Sequence, residues 1–169
     1  MLEASLKMKL FYPIRPWENE PDHAEWIQEP SGYRCRIKRN EITGSLCGYV
    51  GIPKEHRFWG KCYHGENEEV DAISENVHGG LTYSAKGDDG WWYFGFDTAH
   101  ADDFAPAIVE LLIGRGQDQN PPRYHECTNY KTWEFVEDQI YWLGKRLWQY
   151  NEYERAYSEY HKNKGGRDV

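Results

Sequence analysis

Between Trp133 and Tyr150 apolar side chains recur every three or four residues, at Trp133, Val136, Ile140, Leu143, Leu147 and Tyr150. That spacing lines one side of a helix, and Tyr153, Tyr157 and Tyr160 extend the stripe, which predicts an amphipathic helix over about 130–160. A helix of ~30 residues spans ~45 Å, longer than a domain of this size needs for one core. Its expected role is to cover a sheet, and the alternative is that its overhanging tyrosine-rich end forms a dimer contact.

Upstream segments supply the strands. From Tyr33 to Arg39 the residues alternate, with Arg34, Arg36 and Lys38 on one side and Tyr33, Cys35 and Ile37 on the other. Thr43-Gly44 separates this strand from a second run, Ser45 to Gly51, which predicts a hairpin. Pro53 to Trp59 reads as a helical turn before a short strand near Lys61 to His64. The acidic run Glu66, Glu68, Glu69, Asp71 and Glu75 reads as a solvated loop. In the first 32 residues, Pro13, Pro16, Pro21 and Pro30 remove donors and lock φ, so this segment is expected to wrap the domain as coil or short strand. Asp103 to Gly114 predicts a short helix, with Asp102 or Asp103 capping it, Pro106 in its first turn and Gly114 at a left-handed exit. Gly116 to Pro122 is a turn-rich connection. The expected architecture is one α+β domain over 1–161: an antiparallel sheet, a short helix, the long helix at 130–160, and a disordered tail at 162–169.

Two segments concentrate the chemistry. Val77 to Ser84 and Trp91 to His100 flank Gly87-Asp88-Asp89-Gly90, where either Gly87-Asp88 or Asp89-Gly90 can centre a two-residue hairpin turn. Both turns put His78, Gly80, Thr82 and Ser84 on the face of Trp91, Tyr93, Gly95 and Asp97, and Leu81, Tyr83, Trp92, Phe94 and Phe96 on the core face. One register sets His78 opposite Asp97; the other sets Thr82 there. Gly79-Gly80 permits close backbone approach or presents N–H groups to an anion. Trp91 and Tyr93 offer rings to a planar ligand, and Arg34 and Arg36 offer cations. His100 falls in a strand-to-helix loop whose helix N-terminus favours phosphate. The candidate ligand-binding residues are thus His78, Gly79, Gly80, Thr82, Trp91, Tyr93, Asp97, His100, Arg34 and Arg36. A hydrolase would use His78 or His100 as general base, with Asp97 fixing the tautomer.

Other classes find little support. A net charge of −8 without a basic block argues against long nucleic acid. No apolar run reaches the ~18 residues of a membrane span. The four cysteines, Cys35, Cys47, Cys62 and Cys127, lack the density of a disulfide scaffold, and no secretory leader pattern opens the chain, so a reduced cytoplasmic protein is expected. No nucleophile elbow, P-loop or Rossmann fingerprint occurs. His78, Asp97, His100 and Asp102, or Cys62 and His64 with His125 and Cys127, lack standard metal-ligand spacing, so neither a metal nor a cofactor is assigned.

The strings Leu46-Cys47-Gly48-Tyr49-Val50-Gly51, Val77-His78-Gly79-Gly80-Leu81-Thr82-Tyr83 and Gly95-Phe96-Asp97-Thr98-Ala99-His100-Ala101-Asp102, with the helix from Tyr130 to Leu147, resemble a widespread family of small uncharacterised tailed-phage proteins. The resemblance covers about Tyr33 to Leu147. Where that family's pattern has Cys after the GFD aspartate and Gly before the later Asp, this chain has Thr98 and Asp102, which counts against an essential cysteine there. The resemblance implies a phage accessory protein in the host cytoplasm. By analogy such a protein counters host defence by capturing a nucleotide-derived signal, and the alternatives are a nucleotide phosphodiesterase or an interaction module acting through the C-terminal helix.

Overall fold

A computed structural model describes residue 6 and residues 15–65, 67–115 and 129–165. Five antiparallel strands form one sheet: β1 (His23–Gln28), β2 (Tyr33–Arg39), β3 (Leu46–Ile52), β4 (Tyr83–Lys86) and β5 (Trp92–Asp97), in the order β1-β2-β3-β5-β4. Helix α1 (Glu68–Ser74) precedes β4, α2 (Pro106–Gly114) follows β5, and α3 (Trp133–Gly165) ends the described chain. The fold is α+β, and no helix among the described residues is long and apolar enough to cross a membrane.

Helix α3 lies across one face of the sheet. Its buried stripe of Val136, Ile140, Leu143 and Leu147 packs with Tyr33, Cys35, Ile37, Val50, Ile52, Phe94 and Phe96, the inward set of the central strands. Each Val, Leu, Ile or Phe among them contributes about 1.5–3 kcal/mol by leaving water. Gly48 opens the space this packing needs, because a Cβ there would lie 2.5 Å from the Phe96 ring. Two buried polar side chains tie the helix down: Gln28 Nε2 donates to the Tyr141 carbonyl at 3.0 Å, and His56 Nε2 meets the Leu147 carbonyl at 3.0 Å. Beyond the sheet the helix projects, with Tyr153 and Tyr157 exposed and stacked at 6.4 Å.

A smaller core of Phe104, Val109, Ile113 and Tyr130 sits beneath α2, covered by Trp17, whose ring stacks on Phe104 at 5.0 Å. Glu20 fastens the N-terminal segment there. Its carboxylate accepts from the Tyr130 hydroxyl and from the Trp133 backbone N–H at the start of α3, and it pairs with Arg39.

Several expectations change. The acidic stretch is not a loop: Asn67 caps α1 by accepting from the N–H groups of Glu69 and Val70, acidic residues complement its first turn, and Val70 and Ile73 are buried. No strand forms around Lys61 to His64. Helix α2 begins at Pro106 after Ala105, without an aspartate cap, and Gly114 is its last residue with no left-handed φ. Helix α3 runs through Gly165, four residues into the predicted tail. The Gly116 to Pro122 connection, Pro13, His125, Cys127 and residues 166–169 lie outside the described residues.

The β4–β5 hairpin closes through three residues rather than two. Gly87 N–H donates to the Trp91 carbonyl at 2.8 Å, Gly90 N–H donates to the Gly87 carbonyl, and Gly90 has φ +83°. Tyr83 therefore faces Gly95, and Ala85 faces Tyr93. One extra loop residue turns β4 over. Tyr83 and Ala85 share the face of Tyr93, Gly95 and Asp97, whereas Ser84 and Lys86 share that of Trp92 and Phe94. The predicted division of β5 holds, and that of β4 is reversed. Asp89 favours this loop: its carboxylate accepts from Trp91 N–H at 3.0 Å, from the Tyr93 hydroxyl at 2.6 Å and from Arg34 at 2.7 Å.

Candidate functional site

The ten residues singled out by sequence separate into two places. Arg34, Arg36, Trp91, Tyr93 and Asp97 belong to the sheet face opposite α3 and its near edge, whereas His78, Gly79, Gly80 and His100 cluster beyond the strand ends, near the first turns of α3. Thr82 sits between them, exposed, just before β4.

At the strand ends, three segments converge. His78 follows α1, His100 follows β5, and Asp103 precedes α2. Asp103 Oδ2 lies 2.8 Å from His78 Nε2, 3.2 Å from His100 Nδ1 and 3.1 Å from the His100 backbone N–H, while Lys131 Nζ is 3.6 Å from Oδ1. Burial alone would raise the Asp103 carboxyl. The hydrogen bond and charge of His78, with the backbone and ring of His100, outweigh that and hold it below its ordinary value. The imidazole rings meet edge to face at 5.1 Å, and Phe135 closes against His78 at 5.3 Å.

Asp97, the expected partner of His78, is elsewhere: it pairs across β3 with Cys47 and accepts from the Ala99 N–H. Asp103 takes the role instead. The readable signal was the His100-x-x-Asp103 spacing, which closes a turn with Asp103 N–H donating to the His100 carbonyl at 2.9 Å. At the pair Gly79-Gly80 a close approach is present. The N–H groups of His78, Gly80 and Leu81 donate to Gln139, Val77 and Ser74. Gly79 makes room for a side chain. With φ +66°, a Cβ there would lie 2.1 Å from the His100 ring.

The sheet face opposite α3 is uncovered among the described residues. Cross-strand partners set its rows: His23, Lys38, Cys47 and Asp97; Glu25, Arg36, Tyr49, Gly95 and Tyr83; Ile27, Arg34, Gly51, Tyr93 and Ala85. Trp91 and Tyr93, expected to stack on a ligand, each carry an arginine over the ring. Arg34 lies over the Trp91 ring at 4.6 Å, and Arg36 over Tyr93 at 4.8 Å. Both arginines also have carboxylate partners, Asp89 and Glu25. The Tyr93 ring lies against Gly51, and the Tyr49 ring against Gly95.

Tyr93 borders a hollow of about 230 Å³ with Arg34, Arg36 and Glu25. A larger space is bordered by Tyr49 and Tyr83, edge to face at 5.4 Å. They line a groove of about 360 Å³ with Asn40, Ser45, Thr82 and Asp97. Past Cys47 and Tyr49 the space continues as a second hollow of about 320 Å³ towards Lys38. Ser45 Oγ, buried at the groove, has no hydrogen-bond partner. The Cys47 thiol is pushed up by burial, reinforced by Asp97 against the opposing effects of Tyr49 and Lys38, so it is no ready nucleophile. Sequence reading missed Tyr49, Tyr83 and Asn40, whose convergence depends on a register that local pattern did not specify.

Among the described residues, His78, His100 and Asp103 are one group of metal-competent side chains, with ligand atoms all within 4.8 Å of one another. Cys62 and His64 are exposed in the loop before α1. No protein-family model, curated protein or solved structure matches this chain.

Proposed function

We propose that the protein binds and sequesters a small nucleotide-derived ligand in the groove on the open sheet face. The observation that carries this reading is the row of groups along one groove: the Tyr49 and Tyr83 rings, the unpartnered Ser45 hydroxyl, the Asp97 carboxylate and, past Cys47, the Lys38 ammonium. Rings stack on a base, a carboxylate accepts from exocyclic amines or ribose hydroxyls, and an ammonium meets a phosphate. The groove volume falls within the roughly 300–1,000 Å³ of small-molecule sites. The phage resemblance adds a setting, the removal of a host immune signal. A hydrolase is the second reading, favoured by the two histidines bonded to the buried Asp103.

Incubation with cyclic nucleotides and ADP-ribose derivatives, followed by heat denaturation, tests both readings. Sequestration predicts depletion and then release of intact ligand, with affinity reduced about 5- to 150-fold by Tyr49→Ala, the range of one lost stacking contact. New products would establish the hydrolase, and no depletion of any candidate would remove both.

A further inference from the structure

We infer that His78, His100 and Asp103 bind one divalent transition-metal ion through two imidazole nitrogens and one carboxylate oxygen. Metal–ligand bonds of about 2.0–2.2 Å in tetrahedral geometry place neighbouring donor atoms roughly 3.3 Å apart. Asp103 Oδ2 already stands 2.8 Å from His78 Nε2 and 3.2 Å from His100 Nδ1, and all three ligand atoms lie within 4.8 Å of one another, so modest side-chain shifts bring them around one ion. The donor set selects the class of ion. Two imidazoles and a carboxylate suit Zn²⁺ or Fe²⁺, whereas Mg²⁺ and Ca²⁺ prefer oxygen.

Three further features suit a metal centre. The carboxylate is 3% exposed while the imidazoles are 23% and 32% exposed, which gives a buried anionic floor with open positions towards solvent. Lys131 faces the other Asp103 oxygen, an outer partner of the ligating carboxylate, and Gln139 accepts from the His78 backbone N–H, which holds the main chain at that ligand. Gly79 adopts a left-handed φ, and the space left by its missing side chain is filled by the His100 ring. Metal and Lys131 against one carboxylate leave the centre net positive, so its open position favours an anionic oxygen ligand.

This inference is independent of the open-face groove. It replaces the acid–base role of the histidines, because a coordinated nitrogen has no lone pair for a proton.

The test is metal retention by the full chain without a histidine tag, loaded with Zn²⁺ or Co²⁺ and dialysed against metal-free buffer. Expected are about one equivalent of zinc per chain and, with Co²⁺, the visible d–d absorption of a low-symmetry site. His78→Ala, His100→Ala and Asp103→Ala should each weaken binding by more than the roughly 10–100-fold typical of losing an outer partner. Cys62→Ser and His64→Ala should leave it unchanged. Substoichiometric zinc with no cobalt absorption in the folded wild-type chain overturns the inference. So does a cobalt spectrum that persists when His78 and Asp103 are both replaced. Circular dichroism identifies any variant that fails to fold, and the wild-type cobalt titration then decides alone.

Discussion

Gly79 and Gly90 both have left-handed φ, but they answer different demands. At Gly90 nothing lies within 4 Å of an added Cβ, so Gly90→Ala should cost only the left-handed penalty of roughly 1–2 kcal/mol. At Gly79 the same methyl group meets the His100 ring at 2.1 Å, so backbone strain and displacement of the ring add together. Gly79→Ala is therefore expected to cost more than Gly90→Ala, about 3 kcal/mol or above. Urea unfolding of both variants checks this, and equal losses would mean that the His100 ring moves aside freely. A glycine pair announces that something must come close; only the packed chain shows that the object is a side chain.

At the scale of elements, the β4–β5 hairpin shows how a short polar loop decides which side chains share a surface. Asp89 accepts from Trp91 N–H, the Tyr93 hydroxyl and Arg34 at once, and these bonds fit the three-residue loop. Burial and the Asp89 bond push the Tyr93 hydroxyl up to about 12, so at neutral pH it donates. Asp89→Ala should destabilise by about 1–3 kcal/mol, and a double-mutant cycle with Tyr93→Phe should show coupling of at least about 0.5 kcal/mol. Additive losses would mean that the bond is not formed. Strand alternation was legible from residue types in β2 and β5, because a covered face demands apolar side chains at every second position. Loop length was not, because Gly87-Asp88-Asp89-Gly90 suits more than one turn. Helix α1 was legible in part: Asn67 ahead of acidic residues is a helix start, but Val70 and Ile73 make too short a stripe to separate from a loop.

Over the whole molecule, α3 is held to the sheet by apolar packing and by buried polar contacts, and one of these gives stability a pH dependence. Phe58 N–H donates to His56 Nδ1, so Nε2 carries the proton given to the Leu147 carbonyl and the ring is neutral. Burial, assisted by Arg57 and opposed by the Leu147 bond, lowers His56 from 6.5 to about 4. Between these values the unfolded chain binds more protons than the folded one. This contribution is therefore present above about pH 6.5, is lost as pH falls, and levels off below about pH 4, on the order of 3 kcal/mol in all. Urea midpoints measured across this window should fall with acid, and His56→Gln should flatten that part of the slope; an unchanged slope would show that His56 does not titrate there. The α+β class, the long helix and the inward set of β2 and β5 could be read from the residues alone, because these depend on periodicity and residue chemistry. Folding was needed to bring Asp103 rather than Asp97 to the histidines, to lay the arginines over Trp91 and Tyr93, and to set Tyr49 and Tyr83 beside the groove. Those outcomes depend on contacts between residues distant in sequence and on a hairpin register set by a single loop residue, neither of which a local pattern encodes.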